Sequence, residues 1–226
     1  MNVSTRAWYL IVGLCLLTAA CASENPPPNE VETVPDEGGF VSVFNGVDLT
    51  GWTGATDGYA VENGRLVCLK EGGGNLYLDK PYSNFHFRFE FKLEPGGNNG
   101  VGIRAVRGED AAYHGMEIQI LDDSAPIYAD LKPWQYHGSI YGVAPAERGH
   151  QKPVGEWNEE EIIADGLHIT VKLNGAVVVD VDIEEVGRPE TIDGRAHPGL
   201  FNPSGYIGFL GHGHRIEFRR LRINAW

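Results

Sequence analysis

The chain has 226 residues, a formal net charge of −13 and 30 glycines. The acidity excludes a nucleic-acid surface, which needs clustered Lys and Arg to displace counterions, and points to a neutral or small ligand. The glycines suit an all-β protein built from tight turns.

Near the start, Arg6 precedes an apolar run, Trp8 to Leu17, that is short for a membrane span and is followed by small residues, as in a secretory signal. The run closes on Leu17-Thr18-Ala19-Ala20-Cys21, which resembles a bacterial lipobox whose leucine lies one place earlier than usual. Cleavage before Cys21 would remove residues 1–20 and leave Cys21 as a lipidated first residue. The expected location is then the bacterial cell envelope, in the periplasm or at the outer surface, with the membrane as partner through that anchor. An ordinary secretory signal with an incidental cysteine is the alternative. Residues 21–39, with Pro26-Pro27-Pro28 at their centre and no apolar periodicity, read as a flexible tether. Only Cys68 then stays in the folded body, which excludes a disulfide framework in a monomer. Its strand-like setting, Arg65 to Leu69, marks a buried, inert thiol.

Residues 40–226 are of a size for one domain. Asn63-Gly64 and Asn174-Gly175 supply the positive φ angles of two-residue hairpins, the first joining Tyr59–Glu62 to Arg65–Leu69, the second His168–Leu173 to Val177–Val181. Between them Phe85 to Leu93 alternates phenylalanine with His86, Arg88, Glu90 and Lys92, so one face must be buried. Two further runs place charged and amide groups in interior-looking strands. In Gly100–Ala105, Val101, Ile103 and Ala105 alternate with positions that include Arg104; in Met116–Ile120, the apolar positions alternate with Glu117 and Gln119. Period two sends Glu117 and Gln119 to one face, ~6.5 Å apart. Tyr206–Leu210 and Ile216–Ile223 complete the strands, and a short helical piece fits Ile183–Val186. Short strands with glycine-rich turns and no βαβ rhythm predict an all-β jelly-roll sandwich of two antiparallel sheets.

The order of landmarks then resembles one family. They are Val43-Phe44-Asn45-Gly46-Val47-Asp48-Leu49-Thr50-Gly51-Trp52, Asn98-Asn99-Gly100-Val101-Gly102-Ile103-Arg104, Glu117-Ile118-Gln119-Ile120-Leu121-Asp122, Gly138-Ser139-Ile140-Tyr141, Gly155-Glu156-Trp157-Asn158 and Tyr206-Ile207-Gly208-Phe209 with His212-Gly213. Together they resemble the 3-keto-disaccharide hydrolase family, with departures at Leu210-Gly211 and Ser139. The resemblance implies a concanavalin-like jelly roll that acts on oligosaccharides or glycosides oxidised at C3 of the sugar.

The candidate catalytic residues are Glu117 as base, Arg104 or a bound cation for enolate stabilisation, and His137, His212 or Tyr141 as proton donor to the leaving group. Gln119, His114, Glu90, Asn99 and Trp134 are candidates for holding the substrate. The histidines at 114, 137 and 212 each adjoin glycine, which suits loops that a ligand can reach. A divalent cation held with Glu117 stays open as a cofactor, although no HxxxH or CxxC spacing supports a preformed site. Asp122 and Asp123 read as turn caps and Trp157 as core. Two other functions remain open: a conventional two-carboxylate glycoside hydrolase and a noncatalytic carbohydrate-binding surface protein. No protein partner is identifiable from the sequence.

Overall fold

Phe85, Phe87, Phe89, Phe91 and Leu93 are buried, while the four side chains between them are only partly so. Each such apolar burial is worth about 1.5–3 kcal/mol, enough to fix which way this strand faces. The computed structural model describes residue 1, residue 36 and residues 38–226; the expected signal run, the lipobox with Cys21 and most of the tether lie outside them.

The strands in chain order are β1 (Val41–Ser42), β2 (Trp52–Gly54), β3 (Tyr59–Glu62), β4 (Arg65–Cys68), β5 (Gly74–Leu78), β6 (Phe85–Leu93), β7 (Asn98–Ala105), β8 (Met116–Leu121), β9 (Asn158–Asp165), β10 (His168–Leu173), β11 (Ala176–Asp182), β12 (Tyr206–Gly211) and β13 (Ile216–Ala225), with one short helix, α1 (Ile183–Val186). They form two antiparallel sheets packed as a jelly-roll sandwich. The larger, of eight strands, runs β11-β10-β9-β6-β13-β4-β3 with β1 beside β13; the smaller, of five, runs β2-β5-β12-β7-β8. Phe209 of the smaller sheet stacks on Phe218 of the larger at 3.8 Å and meets Phe89 edge-on at 5.6 Å, so aromatic contacts join the layers. Both Asn-Gly hairpins form, with Asn63 and Asn174 at positive φ.

Four strands exceed what alternation predicts: β1, β2, β5 and β9. In β9 the inward positions are Asn158, Glu160, Ile162 and Ala164, so a wholly buried carboxyl interrupts the apolar pattern. Trp157 is not core. It lies half-buried on the outer face of the larger sheet, with Lys92 at 5.1 Å and Arg219 at 4.0 Å from its ring, as cation–π contacts favour. Cys68 is buried and free, as its strand setting predicts.

The smaller sheet carries the feature that matters for function. In β7 and β8, Val101, Ile103, Ile118 and Ile120 point into the core, which leaves Gly100, Gly102, Glu117 and Gln119 on the outer face. β8 is the edge strand of its sheet, and residues 137–141 run along it: Gln119 N donates to the Ser139 carbonyl, Gly138 N to the Gln119 carbonyl and Tyr141 N to the Glu117 carbonyl. This edge is therefore satisfied rather than open.

Candidate active site

Over that outer face lies a cleft of about 350 Å³. Glu117, Gln119 and Leu121 form its floor in a row along β8, joined by Asn98 from β7. Asp110, Ala112, Tyr113 and Arg195 stand at the end where β8 begins. Tyr128, Leu131, Gln135, Tyr141 and His212 complete the walls.

Glu117 is 6% exposed, and its carboxylate lies across Gly100 of the next strand. A Cβ at Gly100 would sit 2.1 Å from Glu117 Oε1, so the glycine makes the space the carboxylate occupies. Across the same gap His212 places Nε2 3.5 Å from Oε1. With the Gln119 amide turned to satisfy its neighbours, its NH2 donates to Glu117 Oε1 at 3.3 Å and to the Asn99 carbonyl at 3.2 Å. The adjacent Glu117 carboxylate holds the His212 imidazole above its ordinary range against burial, which pushes it down; Asp110 adds to the upward shift. A carboxylate on the floor and a protonatable ring on the wall thus lie side by side, which is the equipment for moving two protons.

The Tyr141 hydroxyl accepts from Gln135 Nε2 at 3.0 Å, and Tyr128 is tied by its hydroxyl to the Gly96 carbonyl at 3.1 Å. At the other end the Arg195 guanidinium lies over the Tyr113 ring at 4.3 Å and donates to the Tyr113 hydroxyl. Burial pushes the Tyr113 phenol up and Arg195 pulls it down. Arg195 is exposed, lines the cleft and forms no ion pair among the described residues.

The cleft brings together Glu117, Gln119, Tyr141 and His212 of the residues chosen from sequence, and not the other six. Arg104 falls at a β-bulge, where β7 has an extra residue opposite Ile207, and takes φ 49°. The bulge swings its side chain off the cleft, and Nε and Nη2 both donate to the Ser83 carbonyl, at 3.1 and 2.9 Å. Burial lowers its guanidinium, which has no acidic partner among the described residues. His137 is inside the sandwich: Leu121 N donates to Nδ1 at 3.2 Å, Phe91 lies against the ring, and Nε2 is 3.5 Å from Glu160. Asn99 shares the inward parity of Val101 and is fully buried, its Oδ1 accepting from Gly100 N, while Asn98 faces the cleft instead. Glu90 is on the outer face of the opposite sheet, paired with Arg219 and Arg220 at 2.6 and 2.7 Å. His114 lies near Glu109, and Trp134 belongs to the 3-10 turn Pro133–Gln135; neither lines the cleft.

Sequence reasoning missed Arg195, Tyr113, Asp110 and Gln135. One signal was available for Arg195: it belongs to the connection 187–205 between α1 and β12, of a length at which a loop without regular structure is usually functional. Asp122 caps its turn, accepting from Ser124 N at 3.0 Å and Ser124 Oγ at 2.5 Å, and Asp123 accepts from His137 N at 2.9 Å. Among the described residues no group of three or more His, Cys, Asp or Glu is placed to hold a metal ion.

Residues 39–224 match the 3-keto-alpha-glucoside-1,2-lyase-like domain. The chain is 24% identical to a 3-keto-disaccharide hydrolase from Bacteroides thetaiotaomicron, over 84% of this chain and 79% of that protein. Two crystal structures from Parabacteroides distasonis, both provisionally named glycosyl hydrolases, are also similar. One is 29% identical with a TM-score of 0.71, covering 80% of this chain and 96% of the other. The second is 25% identical with a TM-score of 0.72, covering 84% and 94%. A carbohydrate-binding module from Bacillus subtilis shares the fold, at 14% identity and a TM-score of 0.52, over 77% of this chain and 96% of the module.

Proposed function

Because the chain belongs to the 3-keto-alpha-glucoside-1,2-lyase-like family, we propose that it is a carbohydrate-active enzyme that cleaves the glycosidic bond of 3-keto-glycosides or 3-keto-disaccharides. A ketone at C3 makes the proton on C2 acidic. Glu117 removes that proton, the electron pair passes into the C3 oxygen as an enolate, and Arg195 offsets its charge. The enolate collapses, the C1–O bond breaks with its electrons on the leaving oxygen, and His212 returns a proton to that oxygen. Water then adds to the enone, giving the 3-keto sugar and the free aglycone. Tyr141 and Gln119 hold hydroxyls of the reacting ring.

The observation that carries this reading is the separation of 3.5 Å between Glu117 Oε1 and His212 Nε2. The C2 proton and the C1 oxygen are on neighbouring atoms, so a base and an acid side by side in the cleft suit their removal from one face of the ring. A conventional hydrolase instead needs two carboxyls about 5–5.5 Å or 6.5–9.5 Å apart on either side of the bond. Asp110 also lines the cleft, which keeps that second reading in view, but its Oδ1 is engaged in a turn by Ala112 N at 3.1 Å. The lipobox-like Cys21 extends the proposal to a lipid anchor in the bacterial envelope, which mass spectrometry of the protein purified from membranes would test. For the chemistry, incubation with a 3-keto-glucoside and with its unoxidised parent separates the readings: release of aglycone from the oxidised compound alone is expected, and release from the parent at an equal rate would refute it. Binding without any product would leave a lectin.

A further inference from the structure

Behind the cleft wall is a buried histidine that the proposed chemistry does not use. The His197 side chain is 1% exposed. Its Nδ1 lies 3.1 Å from the Ala112 carbonyl, its Nε2 lies 3.2 Å from both oxygens of Asp193, and its ring packs on Tyr113 with centroids 4.8 Å apart. Asp193 Oδ1 also accepts from Arg195 N at 3.0 Å and from the Thr191 hydroxyl at 2.8 Å. Its own backbone N–H donates to the Gly142 carbonyl at 3.2 Å. The packing there is close: a Cβ on Gly142 would fall 2.5 Å from Asp193 Oδ2 and 3.0 Å from His197 Cε1.

The three segments that meet at this pair supply Tyr113, Tyr141 and Arg195, and none of the three residues is in a strand. The cleft floor is set by sheet hydrogen bonds, and Tyr141 N is tied to the Glu117 carbonyl at the edge of β8, but the segments bearing Tyr113 and Arg195 lie outside the sheet ladders. A carbonyl on one side and a carboxylate on the other both accept, and a rigid ring with a nitrogen toward each is what spans them. We propose that His197 is a positioning residue for this site: with Asp193 it joins the segments bearing Tyr113, Tyr141 and Arg195, and so fixes the cation and the phenols about the reacting sugar. The inference rests on the function proposed above and names how its wall is held.

The test uses His197→Gln, Asp193→Asn, Arg195→Ala and the His197→Gln/Arg195→Ala pair, with kcat and KM measured on a 3-keto-glucoside and folding checked by circular dichroism. His197→Gln should lower kcat about 10- to 100-fold with a much smaller change in KM, as a misplacement near 1 Å does. In the Arg195→Ala background the same substitution should cost severalfold less, because residues acting through one another are not additive. Wild-type kcat in a folded His197→Gln, or losses that simply multiply in the pair, would overturn the assignment. Should His197→Gln not fold, Asp193→Asn carries the same comparison. A wild-type protein inactive on every 3-keto-glycoside tried would instead bring down the functional reading, and this inference with it.

Discussion

Replacing Gly100 by alanine displaces the proposed base without altering its chemistry. The added carbon would lie 2.1 Å from Glu117 Oε1 and 2.8 Å from both Cγ and Cδ. Ordinary contact begins at 3.4 Å, so the carboxylate must retreat by roughly 1.3 Å. The obstacle is the Glu117 side chain from Cγ outward rather than backbone, and Gly100 is not among the positive-φ glycines, so the cost falls on Glu117 rather than on β7. A displacement of this size is worth about 10²-fold in rate when it moves a reacting group. We expect kcat/KM on a 3-keto-glucoside to fall by about that factor while the melting temperature changes by only a few degrees. The retreat also parts Glu117 from His212, so the His212 imidazole should titrate closer to its ordinary range by NMR. A folded Gly100→Ala with wild-type turnover and an unshifted His212 would refute the reasoning.

Three other outcomes follow from the same geometry. His212 must be protonated to act as acid, and Glu117 raises its titration above 6.5; kcat/KM should therefore fall with rising pH only beyond that value, and Glu117→Ala should return the His212 NMR titration downward. A second prediction concerns stability. Burial holds the Glu160 carboxyl well above its ordinary 4.5, so the folded state keeps a proton that the unfolded chain loses, and stability should decline as pH rises above 4.5 toward the folded value. His137, lowered by burial to about 3, acts with opposite sign between about 3 and 6.5, so above that window Glu160 alone of this buried pair contributes, and the raised His212, common to wild type and variant, cancels in their difference. Urea unfolding there should show Glu160→Gln removing a slope of up to about 1.4 kcal/mol per pH unit; parallel profiles would contradict the account. Finally, Arg104→Gln should cost about 1–3 kcal/mol by urea unfolding through its lost bonds to Ser83, yet leave kcat within a fewfold of wild type. A loss of kcat without loss of stability would return Arg104 to the chemistry.

Where local pattern governed the fold, the sequence could be read. The phenylalanine stripe of β6, the two Asn-Gly hairpins and the outward pair Glu117 and Gln119 follow from period two and turn chemistry alone. The same parity, applied one residue further, separates Asn98 on the cleft from Asn99 in the core. Parity failed at Arg104 because a bulge inserted one residue, and at β9 because Glu160 points inward among apolar neighbours. His137 was misplaced for another reason. Its glycine neighbour does mark a loop, but that loop lies along the edge of β8 and turns the ring into the sandwich. Arg195 and Tyr113 reach the cleft through long connections whose paths only tertiary contacts decide, such as Asn202 Nδ2 donating to the Arg104 and His114 carbonyls at 3.2 Å each.

On the proposed mechanism, Glu117 acts as a base on a sugar made acidic by its ketone. Turnover of a 3-keto-glucoside by wild type and Glu117→Gln, followed by mass spectrometry beside the unoxidised glucoside, tests it most directly. Aglycone release from the oxidised compound alone is expected, with a loss of about 10²- to 10⁴-fold in Glu117→Gln. Undiminished release by that variant, or equal cleavage of the unoxidised glucoside, would contradict it.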